Sequence, residues 1–172
     1  MNRAQVNAGV ATSGAAREYP GMTQPMTDCR IRPVTPADAP ALRPLLAQLG
    51  YALDAAEIAA RIARVAGADG HYLVLAEGAD GAPDALLHVF GRAALEKPAE
   101  AVVQALVVRD GLRGRGLGRA MMALAEAWAR QAGYRHISLS SQVSRDDAHA
   151  FYERLGYARY ATSHQFRKAL AD

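Results

Sequence analysis

The chain has a single cysteine in 172 residues, Cys29, so no intramolecular disulfide can form and cysteine-based metal sites are ruled out. Lysine is almost missing as well. Lys97 and Lys168 are the only two, and arginine carries nearly all of the positive side of a formal balance of +3. That arginine is spread through an alanine-rich sequence, so overall charge argues little for a polyanion, and no nucleic-acid partner is expected. Although 51% of the residues are hydrophobic, no run is long and apolar enough to cross a bilayer, and no membrane association is expected. Residues 1–26 also lack the apolar stretch of a signal peptide. A soluble chain in a reducing cytoplasm is the expectation. The five histidines show no paired helical spacing with a third ligand, so no metal is expected.

What stands out instead is Arg113-Gly114-Arg115-Gly116-Leu117-Gly118-Arg119. Ahead of it, Val102-Val103-Gln104-Ala105-Leu106-Val107-Val108 reads as a buried strand. Behind it, Leu117, Met121, Leu124 and Trp128 recur at helical spacing. A strand that turns through a glycine- and arginine-rich loop into a helix aims several backbone N–H groups, and the positive end of the helix dipole, at one spot. The glycines let the backbone approach an anion closely, and Arg113, Arg115 and Arg119 add charge that can fork onto phosphate oxygens. Two familiar phosphate loops fail on spacing. A G-x-G-x-x-G fingerprint starting at Gly114 needs glycine where Arg119 stands, and the Walker pattern needs Lys-Ser or Lys-Thr after its last glycine.

The remaining order is legible from periodicity and breakers. Residues 1–26, rich in small and polar side chains, read as a flexible tail, leaving one domain over 27–172. Cys29–Val34 alternates as a strand, with Cys29 a small core-facing residue rather than a catalytic thiol. Thr35-Pro36-Ala37-Asp38 starts a helix ending at Gly50, and Asp54 caps a second helix with Ile58, Ile62 and Val65 as its apolar stripe. Strands follow at 71–76, 85–91 and 101–108, then a helix at 117–132, a strand at 136–141, a helix at 145–155 and two final strands near 157–161 and 164–168. This is an α+β order.

Arg113-Gly114-Arg115-Gly116-Leu117-Gly118 closely resembles the acetyl-CoA-binding motif of the GNAT N-acetyltransferase superfamily, Arg/Gln-x-x-Gly-x-Gly/Ala. Ala148-His149-Ala150-Phe151-Tyr152-Glu153-Arg154-Leu155-Gly156-Tyr157 resembles that family's second landmark, and finding both in order is more specific than either alone. The resemblance implies a GNAT fold: a mixed, mostly antiparallel sheet of about seven strands, flanked by about four helices, with the fourth and fifth strands splayed to admit pantetheine. It implies acetyl-CoA as cosubstrate, held by residues 113–119. It also places the main chain of Leu106, Val107 and Val108 beside the pantetheine and the thioester carbonyl.

Tyr152 occupies the place of the tyrosine that in many relatives protonates the departing sulfur, while Phe151 reads as core. Where many relatives have Asn-x-x-Ala, this chain has Arg145-Asp146-Asp147-Ala148, so Arg145 either contacts the cofactor or is solvated. The stretch 140–152 and the C-terminal 164–170 look like the aminoalkylphosphonate N-acetyltransferase branch. That branch often carries a glutamate on the fourth strand to deprotonate the amine, and here Val102, Val103, Gln104 and Ala105 stand there instead. Glu96 and Glu100, just upstream, either reach the acceptor channel or are exposed loop carboxylates, and His149, near Tyr152 on the same helix surface, is either a proton relay or a solvated or satisfied side chain. The implied activity is acetyl transfer to a primary amine on a small molecule, with peptide amines or a catalytically weak acyl-CoA-binding regulatory domain as the other readings. A homodimer stays open.

Overall fold

The computed structural model describes residues 29–170, so the expected tail at 1–26 lies outside the described residues. The chain runs β1 (Arg30–Pro33), a 3-10 turn (Pro36–Asp38), α1 (Ala39–Gln48), α2 (Ala55–Ala66), β2 (His71–Glu77), β3 (Pro83–Arg92), β4 (Glu100–Val108), α3 (Leu117–Gln131), β5 (Ile137–Leu139) and α4 (Asp146–Arg154). The strands form one sheet in the order β1-β2-β3-β4-β5, antiparallel except for the β4–β5 pair.

The expected helix starts hold. Asp54 Oδ1 accepts from the Glu57 amide at 2.7 Å, which satisfies one of the orphan donors of α2. Asp38 accepts from the Thr35 amide and hydroxyl at 2.7 and 2.9 Å and also pairs with Arg32 of β1 at 2.7 Å, fastening the first helical turn to the sheet edge.

Period-two alternation sends the strands' side chains to two separate cores. Val74, Leu87, Val89, Ala101 and Val103 meet Met121, Met122 and Ala125 of α3, with α4 packing at the margin through Phe151, Tyr152 and Leu155. On the opposite face, Leu75, Leu86 and Val107 meet Leu42 and Leu45 of α1 and Ile58 and Ile62 of α2. Burial of these side chains, at about 1.5–3 kcal/mol each, is the main term that holds helices to sheet.

Among the described residues the sheet has five strands rather than about seven. Residues 157–170 carry no strand, and Tyr160, Phe166 and Leu170 are exposed there. Gly156 turns the chain back at φ 91°, and the Tyr157 amide donates to Tyr152 O at 3.1 Å. Beyond that point each expected strand has little to bury: 157–161 is Tyr-Ala-Arg-Tyr-Ala, whose two tyrosines, three residues apart, would face opposite sides of a strand, and 164–168 has Phe166 as its one large apolar residue among polar neighbours. Pairing without an apolar face is marginal. The β4–β5 ladder consists of 101–103 with 137–139 and ends at Val103↔Leu139, where β5 ends, so β4 runs on past it.

Candidate functional site

Strand β4 carries a bulge where its ladder with β5 ends: His88 pairs with Ala105 and Val89 with Val103, leaving Gln104 as the extra, exposed residue. From 104 to 108, β4 has no β5 residue beside it, so one side of its main chain faces the gap between the strands. Leu106 and Val108 turn their side chains toward the α3 core and Val107 toward the α1–α2 core. What these residues offer the gap is backbone.

The turn after β4 is held at its start. The Arg109 amide donates to Asp84 O at 2.7 Å, and the Arg109 guanidinium pairs with the buried Asp84 carboxylate. Cys29 Sγ donates to Asp84 Oδ2 at 3.3 Å, so the lone cysteine lies half-buried, packed in part on the core and in part on this anchor. Gly116 stands at the N-cap of α3 with φ 87°, a conformation that strains any residue with a β-carbon. Having no side chain, it leaves the first amides of α3, at 117–119, uncapped at the positive end of a 15-residue helix. No atom of the described residues lies within 4 Å of where a β-carbon at 114 or 116 would stand, so among those residues nothing fills the space in front of those amides. Arg113, Arg115 and Arg119 are exposed around it, with Arg113 Nη2 2.9 Å from Asp110. Leu117 is buried and contributes main chain alone. The arrangement suits a phosphate or pyrophosphate.

Gly118 ties the two sequence landmarks together. A β-carbon there would lie 3.3 Å from Phe151 Cζ and 3.7 Å from Val108 Cγ2, so the end of β4, the first turn of α3 and α4 meet at one point. Phe151 is thus packing, as expected, and it sets the position of the next residue. The Tyr152 ring stands edge-on to Phe151 at 5.1 Å and to Tyr157 at 6.0 Å between centroids. Burial raises the Tyr152 phenol above its ordinary value, and the charge of Arg145 partly opposes that shift. It therefore holds its proton at neutral pH. Arg145 is the exposed N-cap of α4, its amide donating to Gln142 O at 3.0 Å.

Two neighbours are settled by their contacts. His149 has Nε2 3.0 Å from Gln142 O and a buried Nδ1 3.9 Å from Asp146. Glu100 is buried at 8% exposure, unlike the exposed loop carboxylate the sequence suggests, and it is held by Arg92 and by Lys97 at 2.7 Å. Those partners, Arg92 first, lower its carboxyl to about 2, which makes it a poor proton acceptor. Glu96 is exposed. A cavity of about 630 Å³ lies between α3, β5, α4 and residues 155–165, and Tyr152, Ser141 and Tyr157 are among its walls. Residues 113–119 do not line it. It follows the open edge of β5, where the two expected strands would have paired.

Sequence spacing did not reveal the meeting of His71 and His88. Seventeen residues apart on neighbouring antiparallel strands, they bring Nδ1 of His71 within 2.9 Å of Nε2 of His88. The Phe90 ring stacks on His71 at 5.4 Å. The signal lay in hairpin register, since His71, His88 and Phe90 share one face when β2 and β3 pair about the turn at 78–82.

Comparison with known proteins agrees with this geometry. Residues 46–157 match the model of the acetyltransferase (GNAT) family. An aminoglycoside N(6')-acetyltransferase type 1 of Stenotrophomonas maltophilia is 32% identical over 146 residues, covering 81% of this chain and 93% of that protein. An aminoalkylphosphonate N-acetyltransferase of Salmonella typhimurium is 46% identical over 69 residues, which is 40% of this chain and 43% of that relative's length. Among solved structures, the aminoglycoside N-acetyltransferase AAC(6')-Iy in complex with CoA superposes with a TM-score of 0.72 at 16% identity, covering 87% of this chain and all of its own. The fold is that of a GNAT acetyltransferase. This chain belongs to that family.

Proposed function

We propose that the chain transfers acetyl from acetyl-CoA directly to a primary amine on a small molecule, and that residues 27–172 form the transferase unit in the cytoplasm. The observation that carries the reading is the bare half of β4 lying next to the uncapped start of α3, with Tyr152 brought to the same place through Phe151 and Gly118. The CoA complex of AAC(6')-Iy supports the donor, and the aminoglycoside and aminoalkylphosphonate relatives support a small amine acceptor.

On this reading the amides of 114–119 and the guanidiniums of Arg113, Arg115 and Arg119 hold the pyrophosphate, with Arg145 reaching the pantetheine or a phosphate. The main chain of Leu106 to Val108 aligns the pantetheine and polarises the thioester carbonyl, stabilising the oxyanion as it forms. Tyr152 gives its proton to the sulfur as the C–S bond breaks. No metal takes part in these steps. Release of free thiol from acetyl-CoA, measured with 2-aminoethylphosphonate, neamine and a short peptide as acceptors, tests the reading. Thiol release with the first two and not with the peptide is expected. CoA binding with no release for any amine would favour the acyl-CoA-binding regulatory domain, which the missing carboxylate on β4 would then explain.

A further inference from the structure

The transferase reading leaves one chemical requirement unmet. An alkylamine is mostly protonated at neutral pH and must lose a proton before it can attack, yet β4 has no carboxylate at 102–105 and Glu100 is closed off by Arg92 and Lys97. The sheet face opposite Tyr152 supplies another candidate. Toward the α1–α2 end of that face, Leu75, Leu86 and Val107 are buried. Farther along, past the helices, His71, His88 and Phe90 are half-buried and form a surface patch. His88 is the register partner of Ala105, directly beside the bulge at Gln104 where the gap between β4 and β5 begins. Side chains on directly paired residues stand about 5 Å apart, so the imidazole stands beside Ala105 on this face, one strand across from the gap.

We propose, resting on the transferase reading above, that the His71–His88 pair is the proton acceptor for the incoming amine and walls the acceptor subsite on this face of the sheet. The geometry makes the pair a relay whichever tautomer it holds. A single proton lies between Nδ1 of His71 and Nε2 of His88. If His71 donates it, the outer nitrogen of His71 is a lone-pair acceptor and that of His88 carries N–H; if His88 donates it, the two outer roles exchange. One end can always accept while the other releases.

The balance is then complete. The ammonium gives one proton to the acceptor nitrogen of the pair and the pair releases one from its other end to water; before the next turnover the bare end takes a proton back from water, the shared proton shifts back, and the first nitrogen releases its proton to water. The free amine forms the C–N bond at the thioester carbon, the C–S bond breaks, and the thiolate takes the Tyr152 proton. The second amine proton leaves as the adduct collapses and restores Tyr152, so the products are the N-acetyl amine, CoA thiol and one proton.

The surroundings keep His88 uncharged. Facing His88 are His71 and Leu73 of β2, Phe90 of β3 and Ala105 of β4, with Arg92 and Glu100 farther along the same two strands paired to each other. Burial first, and the charge of His71 second, hold His88 down at about 4, so it is a free base throughout the neutral range.

His71→Gln and His88→Gln are tested in the full chain by following kcat and KM from pH 6 to 10 with 2-aminoethylphosphonate and with neamine. Each variant should bind CoA as the parent does by calorimetry, and kcat should fall by roughly a hundredfold at pH 7. The defect should shrink toward pH 10, where the amine is already free, and the double variant should be no worse than either single one because a relay is broken at any link. A defect equal at every pH, or confined to KM, would make the pair only a pocket wall and overturn the proposal. So would parental kcat in both variants. If the parent itself turns over neither amine, the small-amine transferase reading fails first and the relay goes with it.

Discussion

The Phe151 ring lies 3.3 Å from the point where a β-carbon on Gly118 would stand. The contact joins the loop at 113–119 to the helix that carries Tyr152, so one glycine sets the spacing between the proposed phosphate site and the proposed general acid. Gly118 is helical and lacks the positive φ of Gly116, which means its requirement is close approach rather than backbone freedom.

Gly118→Val should therefore cost about 1–3 kcal/mol through overpacking and displace α4 from the loop. Urea denaturation should show the loss of stability, and calorimetry a weaker affinity for CoA. An unchanged midpoint with unchanged affinity would mean that α4 yields freely at this contact.

Gly116→Asp acts differently. Nothing lies within 4 Å of the new β-carbon, so the strain is confined to one residue at φ 87°, about 1–2 kcal/mol, and the fold should persist. The carboxylate would stand before amides that await an anion, and CoA binding should be abolished. Full affinity in this variant would remove the phosphate site from residues 113–119.

Stability should fall in two stages on acidification. His88 is held at about 4 in the fold against 6.5 ordinarily, so it stabilises fully above pH 6.5, and that contribution is lost as pH falls from about 6.5 to 4. Asp38 is lowered to about 2 chiefly by Arg32, and Glu100 to about 2 chiefly by Arg92; both stabilise above pH 4.5 and lose that contribution as pH falls toward 2. Urea midpoints measured at each pH should show both declines, and His88→Gln should flatten only the upper one. A parent whose midpoint is flat from pH 6.5 to 4.5 would place His88 in contact with water.

Local rules read well wherever sequence and packing agree. Asp54 before its helix, the apolar stripe of Ile58 and Ile62, and the glycines around Arg115 each follow from physics within a few residues, and the structure has them. Features that depend on register did not read. The bulge at Gln104 and the meeting of His71 with His88 exist only once β2, β3 and β4 are aligned. The burial of Glu100 depends on Arg92, a residue brought beside it by the β3–β4 ladder. The expected C-terminal strands at 157–161 and 164–168 do not form, because neither segment has an apolar face large enough to hold it against the sheet.

The proposed transfer has Tyr152 as its general acid. Tyr152→Phe removes a hydroxyl and keeps the ring that packs against Phe151 and Tyr157, so stability and CoA affinity should change little. Turnover should fall by roughly ten- to a thousandfold if protonation of the departing thiolate matters in the transition state. The pH profile gives the sharper reading. A general acid works only while protonated, so the rate should fall as pH rises through the phenol's own value, and burial moves that falling limb to the alkaline side of 10. The variant should lack the limb. Measurement must use saturating 2-aminoethylphosphonate, because the acceptor's own ionisation shapes the low-pH side and would otherwise blend with the proton relay. If the phenylalanine protein turns over at the parental rate across the whole range, Tyr152 is packing alone, and the thiolate leaves unassisted or takes its proton from water.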